Sequence, residues 1–121
     1  MRKIAFIGGG SAKFIRELLV DLFSFEELQE SLITLMDIDK ARLELSRKLL
    51  EKMIRDRKLP ARVEATTNQR AAVKDADYII ISIMVGGYDC YRADVEIPKK
   101  YGIYQTVSDT TGPGGIMRIL R

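Results

Sequence analysis

The feature that most narrows the fold of this chain is one short succession. Four apolar residues, Ile4-Ala5-Phe6-Ile7, run straight into Gly8-Gly9-Gly10. An apolar run of that length stopped by glycine reads as a buried strand ending at a turn. Ser11 then stands where a helix N-cap belongs. Phe14, Leu18 and Leu22 follow at spacing four, with Ile15 and Leu19 beside them, as in an amphipathic helix. Weaker versions of this strand-to-helix pattern recur. Residues 32–36 predict a second strand, closed by Asp37-Ile38-Asp39. Residues 40–58 predict a helix whose apolar side carries Leu45, Leu49, Met53 and Leu43, Leu50, Ile54, ended by Pro60. A short strand over 62–66, a brief helix over 69–74 and a nearly all-apolar strand over 78–85 follow, the last expected to be covered on both faces. Strands alternating with helices imply an α/β fold with a doubly wound parallel sheet and right-handed crossovers.

After Gly86-Gly87 the pattern changes to a helix around residues 92–101, a polar loop, and Gly112-Pro113-Gly114-Gly115 leading into the first turns of another helix. A sheet of this type continues past its fourth strand, so residues 1–121 read as a single domain at the front of a larger protein.

Composition removes several chemistries. The chain has 121 residues, 46% hydrophobic and 31% charged, which suits one soluble globular domain. No run approaches the roughly 18 apolar residues of a membrane span, and Met1-Arg2-Lys3 leads into too few apolar residues for an export signal. A membrane location is therefore not expected. The single cysteine, Cys90, forms no internal disulfide, and histidine is absent. Serine–histidine triads, histidine-based zinc sites and histidine proton shuttles are excluded within these residues. The net charge of +3 is concentrated in residues 40–58, where the local balance is +5. That stretch lacks interleaved aromatics and any recognition motif, so it reads as a solvated helix face, and no nucleic-acid partner is expected.

Gly8-x-Gly10 between a strand and a helix is the arrangement by which dinucleotide folds hold a pyrophosphate. Glycine lets the backbone approach, and the helix start offers unpaired N–H groups with a partial positive charge. The third glycine of that fingerprint would fall at position 13, which is Lys13, so the turn alone also suits a glycine bend without ligand. Asp37 ends the second strand where a carboxylate should accept the ribose hydroxyls and repel a 2′-phosphate, favouring NAD over NADP. The alternative is that Asp37 and Asp39 merely cap the following helix, but the order strand, glycine turn, helix, strand and acid favours the ribose. Arg42 flanks the adenine side or lies in solvent. Val85-Gly86 ends the fourth strand at the edge where ligands of open sheets collect, or forms an ordinary turn. Asp109 with Thr110 and Thr111 precedes a second glycine-rich helix start, suited to an anion or a sugar hydroxyl.

Together these residues resemble the family-four glycoside hydrolases, which use NAD and a divalent metal. The resemblance rests on Ile7-Gly8-Gly9-Gly10-Ser11, Leu35-Met36-Asp37-Ile38-Asp39, Ala76-Asp77-Tyr78, Val85-Gly86-Gly87, Ile97-Pro98-Lys99-Lys100-Tyr101-Gly102 and the stretch from Gln105 through Arg118. Its last block, Asp109-Thr110-Thr111-Gly112-Pro113-Gly114-Gly115, is most similar to the α-galactosidase and uronidase branches.

The resemblance implies a Rossmann-like NAD-binding domain and hydrolysis of O-glycosyl bonds by redox-assisted elimination, an exception to the two-carboxylate mechanism. NAD takes hydride from C3 of the sugar, a base removes the C2 proton and the C1 oxygen leaves. Water then adds and the hydride returns. Manganese holds the sugar oxygens and acts as a Lewis acid. By the same resemblance Gly8, Gly9, Gly10, Ser11 and Ala12 form the pyrophosphate turn, and Asp37 with Ile38 and Arg42 the adenosine side. Val85 and Gly86 wall the nicotinamide. Asp109 supports the catalytic tyrosine base, and Arg92 with Asp109 faces the substrate.

A phosphosugar-binding arginine of some branches aligns with Tyr91, with Arg92 one residue on. The family's metal-binding cysteine and histidine and its tyrosine base belong beyond residue 121, in a C-terminal catalytic and metal domain, and Cys90 sits too early to serve. The implied protein is cytoplasmic and homo-oligomeric and acts on a small glycoside, with residues 1–121 inactive by themselves. Two other readings stand beside it. One is a lactate- or malate-type dehydrogenase; the other is a fragment that binds NAD, or assembles, without catalysis.

Overall fold

The computed structural model describes residues 1–105 and 111–121. They form two compact units, residues 1–83 and 84–121.

The first unit is built on four strands, β1 (Arg2–Ile7), β2 (Ser31–Met36), β3 (Arg62–Thr66) and β4 (Tyr78–Ile81), all parallel in the order β3-β2-β1-β4. Ile4 lies opposite Ile33 on one side and Tyr78 on the other; Phe6 lies opposite Leu35 and Ile80. Alternation along each strand sends Ile4, Phe6, Ile33 and Leu35 to one face. They meet Ile15 and Leu19 of α1 (Ala12–Leu22) and Leu43 and Leu50 of α3 (Lys40–Asp56), forming the main core. The opposite face, through Ile7 and Met36, packs on Ala72 of α4 (Gln69–Val73). A four-residue helix, α2 (Glu26–Gln29), lies between α1 and β2 and has no counterpart in the periodicity. This is the Rossmann-like, helix-covered parallel sheet expected of the strand–helix alternation.

Several local expectations are corrected. Ser11 occupies the N-cap position of α1 but makes no side-chain cap bond. At the next helix Asp39 does cap, accepting from the Ala41 and Arg42 amides at 3.0 Å each. Leu45 is 62% exposed. It lies two residues, about 200° around the helix, from the buried Leu43, so the true inner stripe is Leu43, Ser46 and Leu50. The fourth strand ends at Ile81, and Tyr78, Ile79 and Ile81 are about half exposed or more. Among the described residues β4 pairs with β1 alone, and this apolar run is an edge strand whose side chains stay partly exposed.

The second unit contains α5 (Gly87–Lys99) and α6 (Pro113–Leu120). Helix α5 starts five residues before the apolar pattern suggested, because Gly86, at φ 81°, supplies a left-handed N-cap. The helices are joined by polar contacts. The Arg121 guanidinium donates to both Asp94 carboxylate oxygens, at 3.0 and 2.6 Å, and the Gln105 amide bridges the Asp94 carbonyl and the Gly114 amide at 3.1 Å each. A Cβ at Gly114 would fall 2.1 Å from the Asp94 carbonyl oxygen, so glycine there allows the close approach.

Candidate functional site

Strands β1, β2 and β3 step outward in one direction, and β4 then returns to the other side of β1. Ligands of open α/β sheets collect at the carboxyl ends of the strands where the order reverses. Here that place is the end of β1, occupied by the glycine turn.

The turn is anchored on its neighbours. The Gly8 and Gly9 amides both donate to the Met36 carbonyl, at 2.9 and 2.6 Å, and Ser82 donates to the Ile7 carbonyl at 2.8 Å. Gly8 has φ 97°, and a Cβ on it would fall 1.9 Å from the Ser82 carbonyl oxygen. A Cβ on Gly9 would fall 2.9 Å from the Met36 nitrogen. Both glycines are therefore required by the fold, before any ligand is considered.

Asp37 follows β2 and its carboxylate turns toward the same place. One oxygen, Oδ2, accepts from the Gly10 amide at 2.7 Å, and Oδ1 accepts from the Asp39 amide at 2.9 Å. A carboxylate has about four lone-pair positions, so acceptor capacity remains. Ile38 beside it is 91% exposed, a large apolar side chain held in solvent at the same strand end. Arg42 is exposed on the first turn of α3, and its Cβ lies 3.0 Å from where a Gly10 Cβ would be. Structure thus brings Gly8, Gly9, Gly10, Asp37 and Arg42 together.

At the start of α1 the Ser11 amide bonds the Gly8 carbonyl at 3.3 Å and the Ala12 amide bonds the Gly10 carbonyl at 3.1 Å. The first amide that enters the helical ladder is Ile15, to the Ser11 carbonyl at 3.0 Å. Among the described residues the Lys13 and Phe14 amides carry no acceptor, as expected for the first turn of a helix. Lys13 is exposed, so its position needs no third glycine.

Of the remaining predicted site residues, Val85 and Gly86 are exposed just ahead of α5, with Gly86 in the left-handed conformation. Arg92 is exposed and pairs with Glu96 at 2.9 Å on the same helix. Asp109 lies outside the described residues, as do 106–108 and 110. Among the described residues no group of three or more Cys, Asp or Glu side chains could hold a metal, and no helix is long and apolar enough to cross a membrane. A groove of about 660 Å³ between α1 and α3, lined by Arg16, Asp21, Lys52, Asp56 and Arg57, lies on the helix side and not at the strand ends.

Asp94 was not singled out by sequence, yet it ties α5 to α6. The Arg121 hydrogen bonds hold its carboxyl below the usual carboxylate range. The available signal was its spacing: Tyr91, Asp94 and Pro98 fall on one stripe of α5, and a carboxylate there needs a partner.

The sequence profile of the family 4 glycosyl hydrolases matches residues 3–121. An α-galactosidase of Bacillus subtilis (strain 168) is 43% identical over 123 residues, covering 100% of this chain and 28% of that protein. An α-galacturonidase of Lachnoclostridium phytofermentans is 39% identical, covering 98% of this chain and 26% of that protein. Among solved structures, the 6-phospho-β-glucosidase of Thermotoga maritima, crystallised with manganese, NAD+ and glucose-6-phosphate, aligns with a TM-score of 0.80 at 31% identity. That alignment covers 100% of this chain and 28% of the other. The chain therefore spans little more than a quarter of the length of these relatives.

Proposed function

The chain belongs to the family 4 glycosyl hydrolases, and from that membership we propose that it is the NAD-binding part of a glycosidase that uses NAD and manganese to cleave O-glycosyl bonds. The observation that carries the reading is the glycine turn at the reversal of the sheet, with the Asp37 carboxylate beside it.

The residues present fit a dinucleotide. The unaccepted Lys13 and Phe14 amides, with the Ser11 amide in a long 3.3 Å bond, offer donors to a pyrophosphate. The unused lone pairs of Asp37 can accept ribose hydroxyls, and its charge disfavours a 2′-phosphate. Ile38 offers an apolar plate for adenine, with Arg42 at its edge. Val85 and Gly86 are proposed for the nicotinamide side, and Arg92 and Asp109 for the substrate side. The described residues do not fit manganese, whose ligands are proposed to lie past residue 121. When bound, NAD supplies a reversible hydride acceptor for C3 of the sugar. The residues of this chain bind and orient that cofactor, so residues 1–121 alone are expected to bind without hydrolysing. Family membership displaces the dehydrogenase reading.

The test is calorimetric titration of the 121-residue chain with NAD and with NADP, each with and without manganese. Saturable binding that prefers NAD and is indifferent to manganese is expected. A folded sample that binds neither nucleotide would remove the reading for these residues. A second reading, an assembly module, is supported by the half-exposed Ile79 and Ile81 on β4. Sedimentation across a concentration series with and without NAD separates it from a monomeric cofactor binder.

A further inference from the structure

We propose that Asp37 is a positioning residue for the phosphate-binding turn as well as a partner of the ribose. This deepens the nucleotide-binding reading and rests on it. Three consecutive turn amides are anchored on two residues at the end of β2: Gly8 and Gly9 on the Met36 carbonyl, Gly10 on the Asp37 side chain. The first two bonds end on backbone, which no substitution removes. The third ends on a carboxylate 27 residues away in sequence, and it alone depends on side-chain identity.

Gly10 is buried, so its N–H without an acceptor would carry the penalty of an orphaned donor. A Cβ at position 10 would fall 2.7 Å from Asp37 Oδ2, so glycine there makes room for the carboxylate itself. The same carboxylate takes the Asp39 amide, and Asp39 caps α3. One side chain thus links the turn that opens α1 to the turn that opens α3.

A consequence for specificity follows. Replacing Asp37 by a small neutral residue, the change that should admit a 2′-phosphate by removing repulsion, also releases the Gly10 amide. NAD affinity then falls without a matching gain for NADP.

The experiment compares wild type, Asp37→Ala and Asp37→Asn in the full 121-residue chain. Binding is measured for NAD and for an NAD analogue lacking both hydroxyls of the adenosine ribose, and hydrogen exchange of the Gly10 amide is followed by NMR. In Asp37→Ala both ligands should weaken, by about tenfold or more, and the Gly10 amide should exchange faster. Asp37→Asn keeps one acceptor oxygen where Asp37 uses two, for the Gly10 and Asp39 amides, so Gly10 protection and analogue affinity should move together: both retained, the affinity within about twofold, if the oxygen faces Gly10, and both lost if it faces Asp39. An analogue affinity unchanged in Asp37→Ala, or a Gly10 amide as protected as in wild type, overturns the proposal. If wild type binds neither ligand but the amide still loses protection in Asp37→Ala, the tether stands and the nucleotide reading falls. Should Asp37→Ala not fold, Asp37→Asn decides: a folded variant in which the Gly10 amide exchanges fast while the analogue's affinity is unchanged overturns the proposal.

Discussion

A methyl group at position 8 would lie 1.9 Å from the Ser82 carbonyl oxygen, on a backbone already at φ 97°. Neither the strand end nor the strained φ can relax without breaking the Met36 bonds that anchor the turn. Gly8→Ala should therefore lose about 3 kcal/mol or more of unfolding free energy in denaturant titration. Gly87, at φ 61° with open space around its missing Cβ, provides the comparison. Gly87→Ala meets only the left-handed penalty, about 1–2 kcal/mol. Ser46 presents the reverse case. Its hydroxyl is fully buried on the inner stripe of α3 with no partner among the described residues. Ser46→Ala removes an unsatisfied group and gains helix propensity, so stability should stay level or rise by up to about 1 kcal/mol.

At the scale of elements, α3 tests which positions carry its packing. Leu50 is 1% exposed in the main core, and Leu50→Ala should cost about 2–5 kcal/mol; Leu45→Ala, on the solvent face, should change stability by no more than about 0.5 kcal/mol. The apolar residues of α3 were all visible in the sequence, but their spacing admits two overlapping stripes, and only contact with Ile33 and Leu35 selects one. Strands β1 to β3 were legible because apolar runs closed by glycine, aspartate or turn residues admit few alternatives. The exposure of β4 was not legible, since an apolar strand reads alike whether or not its faces are covered. Of the candidate site, the glycines and Asp37 were readable from order and spacing. Their mutual bonds were not, because Gly10 and Asp37 meet only through the register of β1 with β2. The link between α5 and α6 was equally hidden, and it predicts a pH dependence. Arg121 lowers the folded-state pKa of Asp94. Its contribution is therefore present above the ordinary carboxylate range and is lost as pH falls through the folded value. Acid titration below about pH 4 should weaken this helix pair in the wild type, and Asp94→Asn, less stable at neutral pH, should flatten that limb of a thermal-melt series. Glu44, held down to about 2 by the Arg47 hydrogen bonds on α3, adds an acid-sensitive contribution of the same sign. It lies on the surface, so high salt should reduce it.

Across the whole molecule, one of the two inner strands of the sheet, β1, is the first of the four in sequence. Phe6 pairs with Leu35 on one side and Ile80 on the other, so its second neighbour comes 74 residues later. A chain ending at residue 76 lacks β4 and the Ser82 carbonyl that fits against Gly8, and it should lose the cooperative unfolding transition seen by circular dichroism. Contacts between distant segments also form slowly. During synthesis, β1 leaves the ribosome before either partner exists, acquires β2 early, and keeps one hydrogen-bonding edge open until nearly two-thirds of these residues have been made. The strand that leads into the glycine turn thus waits longest for its second partner, and until β4 arrives its open edge is free to pair with a strand of another chain.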